Sequence, residues 1–355
     1  MSSNKVLLVG PYPPPYGGLA VQLCELQRYL IQQAGYECLI LNIGESRGAK
    51  IQDCISVFGY WDFVRKLFHF ARRGYLIHLL TNGHNLKSWL SALICVAAGL
   101  MNGRKTVISF GSGNLPAYLQ NVKGWVRLVV RVVLRSAGII ICRNKSMVGA
   151  IQAFEIEESR IAVVPGFMGL HGRSLGQVPQ SVEKFCETHM PVFGATVTLS
   201  PEYGVPLALH ALDQMRKCYP KLGLILIGIG LEAKEHLPEL ALVRDHVLLA
   251  GALTPDVTLS VMRRLSVFLR PTYFDGDSVS VREALALGVP VVASDTGFRP
   301  DGVILFEKGQ LQDLVGKLQY TLNHLDELPS KFQKSGSSMS ANLMVSIYQR
   351  LASQI

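Results

Sequence analysis

The feature that most constrains the fold is a repeated alternation of short β-rich runs with helix-length segments. Six such runs lie in the first half of the chain, at residues 6–9, 38–41, 76–80, 106–110, 139–142 and 161–164. Strands separated by helix-length segments are typical of βαβ units, in which the strands run parallel within one sheet. The first half is therefore predicted to form a doubly wound α/β domain.

The alternation stops and then resumes. The stretch 165–191 lacks it and is rich in glycine and proline, as linkers are. Six further runs follow, at 192–199, 224–227, 247–249, 267–269, 290–293 and 303–305. Because 355 residues exceed what one small core needs, we expect two domains. These are an N-terminal Rossmann-like domain over 1–175, a C-terminal one over 176–325, and a helical tail over 326–355 that can pack back on either domain, the N-terminal one included.

The composition narrows the class of protein. With 49% hydrophobic and 17% charged residues, the chain is predicted to be a well-packed globular protein. No apolar run approaches the roughly 20 residues of a membrane-spanning helix, and "MSSNKVLLVG" is predicted to be a first strand rather than a signal peptide. Seven scattered cysteines without a CxxC motif indicate reduced core residues. We therefore expect a cytoplasmic protein.

Basic residues are concentrated in the first half. Residues 1–175 contain 19 Lys/Arg against 8 Asp/Glu, whereas residues 176–355 contain 16 against 18. Between Asp62 and Glu155 there are 13 basic residues and no acidic one. Such a surface attracts anionic lipid headgroups or an anionic substrate. Nucleic acid is disfavoured, because no binding module for it is visible.

Two segments of this basic region have amphipathic helical patterns. The segment 61–73 is predicted to group Trp61, Val64, Phe68 and Ala71 on one side, and Arg65, His69 and Arg72 on another. The segment 125–136 sets Arg127, Arg131 and Arg135 four residues apart among valines and leucines. Either a membrane-surface helix or a packed helix with a solvated arginine stripe fits this pattern, and both interpretations stay open.

The strongest chemical signal is "FDGDSVSVREALALGVPVVAS", residues 274–294. Ser278 or Ser280 can cap the helix that follows, and the free amides at its start form an anion site suited to a phosphate. Glu283 lies one turn inside that helix, where a carboxylate can bind the two hydroxyls of a ribose. The alternative, equally weighted, is that Glu283 is partly exposed or paired with Arg282 or Arg299.

These residues resemble a known signature. Asp275, seven residues, Glu283 and then "EALALGVPVVASDTG" are similar to the E-x7-E motif of group 1, or family 4, retaining glycosyltransferases of GT-B fold. Further similarity lies in "VGPYPPPYGG", "AGIIICRNKSM", "RIAVVPGF" and "LILIGIG". The resemblance covers roughly 5–310 and is specific over 271–297. It implies an α/β, GT-B-like architecture with two doubly wound Rossmann-like domains facing across a cleft.

The resemblance also implies roles for individual residues. Glu283 would bind the ribose of a nucleotide-sugar donor, and Asp275, where the family usually has Glu, would lie near the transferred sugar. These two are the candidate catalytic residues. The other donor contacts it implies are Gly17 and Gly18 in the first glycine-rich loop, and Gly276, Asp277, Ser278 and Val279 before the helix.

Three positions depart from the family pattern. The basic pair usually found at the start of the second domain is replaced by Thr198 and Tyr203, and a common first-domain His is replaced by Gly111. Arg270, Arg282 and Arg299 lie nearby in sequence and can supply the lost charge, which a leaving diphosphate requires. The competing hypothesis is a non-catalytic glycosyltransferase-like subunit that binds nucleotide or glycan and supports a partner.

The remaining motifs add little. "GIGLEA" matches a dinucleotide fingerprint, but the next predicted strand ends in Ala250 and Gly251 without the acid that holds an adenosine ribose, so Gly230 is interpreted as a turn beside the nucleotide site. The histidines have no metal-ligand spacing, and neither a metal nor a cofactor is expected.

The predicted function is transfer of a sugar, with retention, from a nucleotide-diphosphate sugar to a hydroxyl of a glycan or lipid-linked acceptor. A UDP-sugar is the favoured donor. The setting would be polysaccharide or glycoconjugate biosynthesis, in a cytoplasmic protein held peripherally on the inner face of the membrane.

Overall fold

A computed structural model describes residues 4–166, 169–170, 173–327 and 339–353. The chain divides into two compact units, which consist of Met1–Met168 with Ser338–Ile355, and of Gly169–Ser337. The second unit thus begins earlier in the chain than residue 176, and the C-terminal segment belongs to the first unit.

The first unit is built on six parallel strands. They are β1 (Lys5–Gly10), β2 (Glu37–Asn42), β3 (Leu76–Thr81), β4 (Val107–Phe110), β5 (Ile139–Cys142) and β6 (Ile161–Val163). Their order in the sheet is β2-β1-β3-β4-β5-β6. All six residues of β3 are buried, as expected for a central strand covered on both faces.

Six helices connect these strands: α1 (Gly18–Gln32), α2 (Tyr60–Arg72), α3 (Leu86–Leu100), α4 (Leu115–Asn121), α5 (Gly124–Ser136) and α6 (Val148–Gln152). Helix α3 packs against both α2 and α5, so these three form one layer. In α2, Phe63 and Leu67 enter the core, whereas Trp61 is 78% exposed. The predicted grouping of Trp61 with the apolar face is therefore wrong, because Phe63 and Leu67 define that face.

The second unit repeats the architecture. Its strands are β7 (Val192–Thr196), β8 (Gly223–Ile227), β9 (Val247–Gly251), β10 (Val267–Arg270), β11 (Val291–Ser294) and β12 (Ile304–Phe306). All are parallel, in the order β12-β11-β10-β7-β8-β9. Strands β7 and β10 are neighbours that are not consecutive in sequence, so the chain reverses its direction across the sheet between them.

The helices of this unit are α7 (Gln180–Thr188), α8 (Val205–Met215), α9 (Pro255–Met262), α10 (Val279–Ala286) and α11 (Leu311–Asn323). Helix α7 lies within the stretch predicted as a linker. It forms because Val182 is fully buried in a core cluster and Phe185 packs beside it, three residues further along the same helix face.

The C-terminal helix α12 (Met339–Ala352) completes the first unit. Met344, Ile347, Tyr348 and Leu351 join a core cluster with residues of β1, β2 and β3. Within the ranges that the structure describes, no helix has the length and apolar character that crossing a bilayer requires.

Candidate active site in the second unit

The switch point between β7 and β10 organises the candidate site. In parallel sheets of this kind, ligands bind outside the carboxyl ends of the strands where the strand order reverses. Here those ends are Thr196 and Arg270, followed by the loops that lead to α8 and α10. Gly204 lets the loops approach closely, because it adopts φ +64° and a Cβ there would lie 2.0 Å from the carbonyl oxygen of Pro271.

Arg270 spans the switch point. It lies at the end of β10, its Nη1 donates to the carbonyl oxygen of Thr196 over 2.9 Å, and its Nε donates to Asp275 Oδ2 over 2.9 Å. Its guanidinium lies 5.0 Å from the ring centroid of Tyr203. Tyr203 is one of the two positions that lack the usual family cation. Arg270, from the neighbouring strand β10, therefore places a positive charge beside it.

Asp275 lies between two arginines. Its Oδ2 accepts from Arg299 Nη1 over 2.7 Å as well as from Arg270, and the side chains of Asp275 and Arg299 are only 11% and 3% exposed. Burial raises the pKa of Asp275, but Arg270 and Arg299 outweigh burial and lower it to about 2. The carboxylate is therefore ionised at neutral pH and committed to two guanidinium groups.

Further polar groups fix this cluster in place. Arg299 Nη2 donates to Thr272 Oγ1 and Arg299 Nε donates to the carbonyl oxygen of Ser294, each over 2.9 Å. Ser294 Oγ donates to the carbonyl oxygen of Thr272. Burial lowers the pKa of Arg299, whereas burial of Arg270 is outweighed by Asp275 and Tyr203, which raise its pKa.

Glu283 lies in α10 and is 6% exposed. Its Oε1 accepts from Arg173 Nη1 over 2.5 Å, and the two side chains are 7% and 2% exposed. A buried carboxylate requires such a counter-charge. The predicted alternatives for Glu283, partial exposure or pairing with Arg282 or Arg299, are wrong, because those arginines pair with Asp277 and Asp275.

The start of α10 has the predicted cap. Ser278 is the N-cap residue, and its Oγ accepts from the amide of Val281 over 3.5 Å. Ser280 Oγ lies 3.1 Å from Ser278 Oγ and accepts from Thr196 Oγ1 over 2.9 Å. This hydroxyl chain ties the helix start to the end of β7. The amide end of the helix therefore lies at the switch point, together with Gly276 and Val279.

Asp277 and Arg282 form a third ion pair. Arg282 Nε lies 2.6 Å from Asp277 Oδ1, and the Asp277 side chain is fully buried. Asp277 thus braces the turn before α10 through its side chain.

The other predicted ligand residues are placed on separate loops. Gly230 follows β8 and begins a short 3₁₀ turn, where its amide donates to Glu232 Oε1 over 2.7 Å. Gly17 and Gly18 belong to the first unit, at the start of α1, and a Cβ at either would meet no atom within 4 Å. Gly111 is closely packed, because a Cβ there would lie 2.5 Å from Leu19 Cδ2.

Sequence reasoning missed Arg173, Thr272 and Ser294. Arg173 is separated from Glu283 by 110 residues, and no local pattern connects them. A charged residue in a glycine-rich segment was the only signal. Among the residues that the structure describes, no group of three His, Cys, Asp or Glu side chains is arranged to hold a metal ion.

Two parallel six-stranded sheets with surrounding helices are the GT-B fold of glycosyltransferases, and solved structures match it over nearly the whole chain. HepE of Anabaena in complex with UDP is 17% identical, with a TM-score of 0.69 over 99% of each chain. Sucrose-phosphate synthase of Thermosynechococcus elongatus is 16% identical, with a TM-score of 0.74 over 99% of this chain and 100% of that one. The lipopolysaccharide outer core galactosyltransferase WaaB is 14% identical, with a TM-score of 0.62 over 98% and 99%.

The family assignment rests on the second unit. Residues 190–324 match the family model described as "Glycosyl transferases group 1", and this part of the chain is a group 1 glycosyltransferase domain. No curated protein matches the sequence. Membership of family 4 is compatible with these findings and stays a prediction.

Proposed function

We propose that this protein transfers a sugar from a nucleotide-diphosphate sugar to an acceptor hydroxyl, and that the second unit binds the donor. One observation carries the proposal. The domain that matches the group 1 glycosyltransferase model has, near its switch point, two arginines whose side chains are 11% and 3% exposed, the amide end of a helix, and a carboxylate one turn inside that helix. Together these groups suit a diphosphate joined to a ribose.

The donor contacts follow from the chemistry of each group. Glu283 is the ribose ligand, and its buried carboxylate is paired with Arg173 and oriented by it. The remaining contacts within the second unit are assigned to Gly276, Asp277, Ser278 and Val279 at the helix start, and to Arg270, Arg282 and Gly230.

A UDP-sugar is the first choice of donor. HepE was solved with UDP and, in another structure 16% identical to this chain, with UDP-glucose. The structural similarity to HepE supports a uridine nucleotide, and binding measurements with nucleotides of different bases test it.

The reaction needs no protein nucleophile. In a retaining transfer on one face of the sugar, the leaving phosphate oxygen takes the proton of the acceptor hydroxyl while the bond to the sugar breaks. The negative charge that develops on the diphosphate is then stabilised by fixed cations and amides. We assign the acceptor to glycans or lipid-linked intermediates of polysaccharide or glycoconjugate biosynthesis.

The second candidate function is a non-catalytic subunit that binds nucleotide or glycan. It is favoured by Thr198, Tyr203 and Gly111 at positions where the family usually has cations and a histidine. Release of nucleotide from a panel of nucleotide sugars, measured with and without a glycan or lipid-linked acceptor, separates the two. An enzyme releases nucleotide faster when acceptor is present, whereas a binding subunit gives the same background release as buffer.

We also propose that the first unit works on an anionic membrane surface. Nine of the twenty large apolar side chains that are exposed in the described part of the chain lie on or beside α2, α3 and α5. They are Phe58, Tyr60, Trp61, Leu90, Leu100, Met101, Trp125, Leu128 and Val132. Helices α3 and α5 lie wholly between Asp62 and Glu155, where the sequence contains no acid, and Asp62 itself lies in the first turn of α2.

Helix α5 contributes an apolar stripe to this surface. Trp125, Leu128 and Val132 are spaced along one helix face and are 60%, 62% and 42% exposed. The arginines of α5 are partly engaged within the protein, since Arg127 stacks on Phe154 and Arg135 pairs with Glu155. Exposed tryptophans beside basic residues suit the boundary between headgroups and acyl chains.

Vesicle co-sedimentation tests this surface. We expect binding to vesicles that contain phosphatidylglycerol, weaker binding to pure phosphatidylcholine, and loss of about tenfold in affinity in a Trp61→Ser, Trp125→Ser double variant. Tyr320→Ser, which removes an aromatic side chain 50% exposed in the second unit, is the matched control. Equal binding by the double variant and the control would contradict the proposal.

A further inference from the structure

The contacts of Asp275 differ from those expected of a carboxylate that binds the transferred sugar, because Oδ2 already accepts hydrogen bonds within the protein. Its Oδ2 is bonded to Arg270 over 2.9 Å and to Arg299 over 2.7 Å, with Thr272 Oγ1 at 3.3 Å. The side chain is 11% exposed. Any sugar hydroxyl that reached this oxygen would compete with two charge-assisted hydrogen bonds, which are about twice as strong as neutral ones.

The two arginines reach this place from different strands. Arg270 ends β10, and Arg299 follows β11 in the next loop. Two guanidinium groups this close repel each other unless an anion lies between them. Asp275 is that anion, and it leaves the group of three side chains with one net positive charge.

Arg270 also lies beside one of the positions at which the family usually has a cation. Arg270 packs 5.0 Å from the centroid of the Tyr203 ring and bonds the end of β7. Tyr203 itself stands where the resemblance expects a lysine. The arginines therefore bring positive charge to the same edge of the sheet by another route.

We infer that Asp275 is a positioning residue, which holds Arg270 and Arg299 together as the pair that binds the donor's diphosphate, rather than a group that contacts the transferred sugar. This inference rests on the proposed donor function. It predicts that Asp275 controls discrimination between nucleoside diphosphates and monophosphates, whether or not a sugar is attached.

Calorimetric titration with UDP and UMP, and with the corresponding guanosine and adenosine pairs, tests this role. We expect the wild type to prefer the diphosphate of one base. Asp275→Asn should lower that preference on the order of tenfold, because the two arginines lose their common anion. Asp275→Glu, which keeps the charge on a longer side chain, should restore part of it. Asp213→Asn, which removes a carboxylate from a more exposed pair with Arg216, should change nothing.

Arg299→Gln tests the same inference if Asp275→Asn does not fold. It keeps the carboxylate and removes one cation, and it should also reduce the preference for diphosphate, with Arg299→Lys intermediate. An unchanged preference in these variants, with only kcat for the nucleotide sugar reduced, would place Asp275 at the sugar and overturn the inference. A tighter diphosphate complex in Asp275→Asn would overturn it as well. A folded wild type that binds none of these nucleotides overturns the donor function itself and this role with it.

Discussion

The two units bury polar groups in different ways. At the carboxyl edge of the second sheet, Glu283, Asp275 and Asp277 are all buried or nearly so, and each is paired with at least one arginine. In the first unit, the comparable buried cluster consists of His78, Ser109 and Tyr348. His78 bonds Tyr348 Oη over 2.5 Å and Ser109 Oγ over 2.7 Å.

One of the two clusters is neutral and the other is charged. Burial, with a smaller contribution from the charge of Arg143, lowers the pKa of His78 to about 3, so this cluster is neutral near pH 7. Asp275 and its arginines are all charged. Buried charge costs several kcal/mol to desolvate and seldom adds stability over an apolar core. Three acid–arginine groups at one edge of the second sheet are what the proposed donor function requires. In the first unit Arg143 is also buried, and the neutral cluster attaches α12 to β3 and β4.

The largest effect is expected for the pair of Arg173 and Glu283. Arg173→Gln removes the cation of a buried ion pair, and it should reduce the free energy of unfolding by about 3 kcal/mol. Arg216→Gln, which opens a more exposed pair with Asp213, should cost roughly 0.5 kcal/mol or less. The measurement is urea unfolding followed by far-ultraviolet circular dichroism.

Tryptophan fluorescence adds a control to this experiment. The three tryptophans, Trp61, Trp89 and Trp125, all lie in the first unit. Each unit has core clusters of its own, so the fluorescence transition should move less than the dichroism transition in Arg173→Gln. An equal loss of unfolding free energy in Arg173→Gln and Arg216→Gln would contradict the claim that the buried pair of Arg173 and Glu283 is worth more than an exposed one.

The neutral cluster makes a prediction about pH. The folded-state pKa of His78 is about 3, below the usual 6.5, so between these values the unfolded chain binds a proton that the native chain does not. The contribution of His78 to the free energy of unfolding is therefore fully present above pH 6.5. Between pH 6.5 and pH 3 it falls by about 1.4 kcal/mol for each pH unit that the pH decreases.

His78→Gln should remove this part of the pH dependence. Between pH 7 and pH 5, urea unfolding followed by tryptophan fluorescence should show a smaller loss of stability in the variant than in the wild type. His210→Gln, on the exposed side of α8, should keep the wild-type slope. Asp275 acts at lower pH, since its stabilisation is complete above pH 4 and is lost as pH falls towards 2. Identical slopes in wild type and His78→Gln would contradict a buried neutral histidine.

The smallest expected effect is the difference in stability between variants of the two N-cap residues Asn85 and Ser278. Asn85 Oδ1 accepts from the amide of Ser88 over 2.9 Å in the first unit, whereas the Ser278 bond to Val281 is 3.5 Å long. Asn85→Ala should therefore cost about 1 kcal/mol and Ser278→Ala less, as judged from thermal midpoints. A larger cost for Ser278→Ala would mean that its hydroxyl contacts with Ser280 are the stronger constraint.

Local periodicity was enough to predict the strands of both α/β units, whereas the GT-B architecture was implied by the family resemblance. Each of the twelve strands predicted from β-rich runs overlaps an observed strand, because strands buried on both faces leave continuous apolar runs. Helix α7 was missed since glycine and proline around it mask a short amphipathic pattern. The exposure of Trp61 was missed because its spacing from Val64 and Phe68 fits an apolar helix face. Spacing alone does not show that a residue in the first turn of a helix is buried.

The candidate site was predictable only in part. The cap at Ser278 and the place of Glu283 follow from neighbours in sequence. The partners of the charges do not, since Arg173 and Arg299 reach their carboxylates through the tertiary structure, over 110 and 24 residues. Sequence spacing thus located the acids, whereas the assignment of each arginine required the fold.

The most direct test of the donor site is nucleotide binding to the wild type beside Glu283→Ala and Glu183→Ala. Glu183 is an exposed carboxylate on α7 in the same unit. Calorimetry with a panel of nucleoside diphosphates and nucleotide sugars should give one base that binds the wild type and Glu183→Ala equally and binds Glu283→Ala at least about tenfold more weakly. Absence of binding to the folded wild type at millimolar ligand, or equal binding by all three proteins, would contradict a donor site built on Glu283.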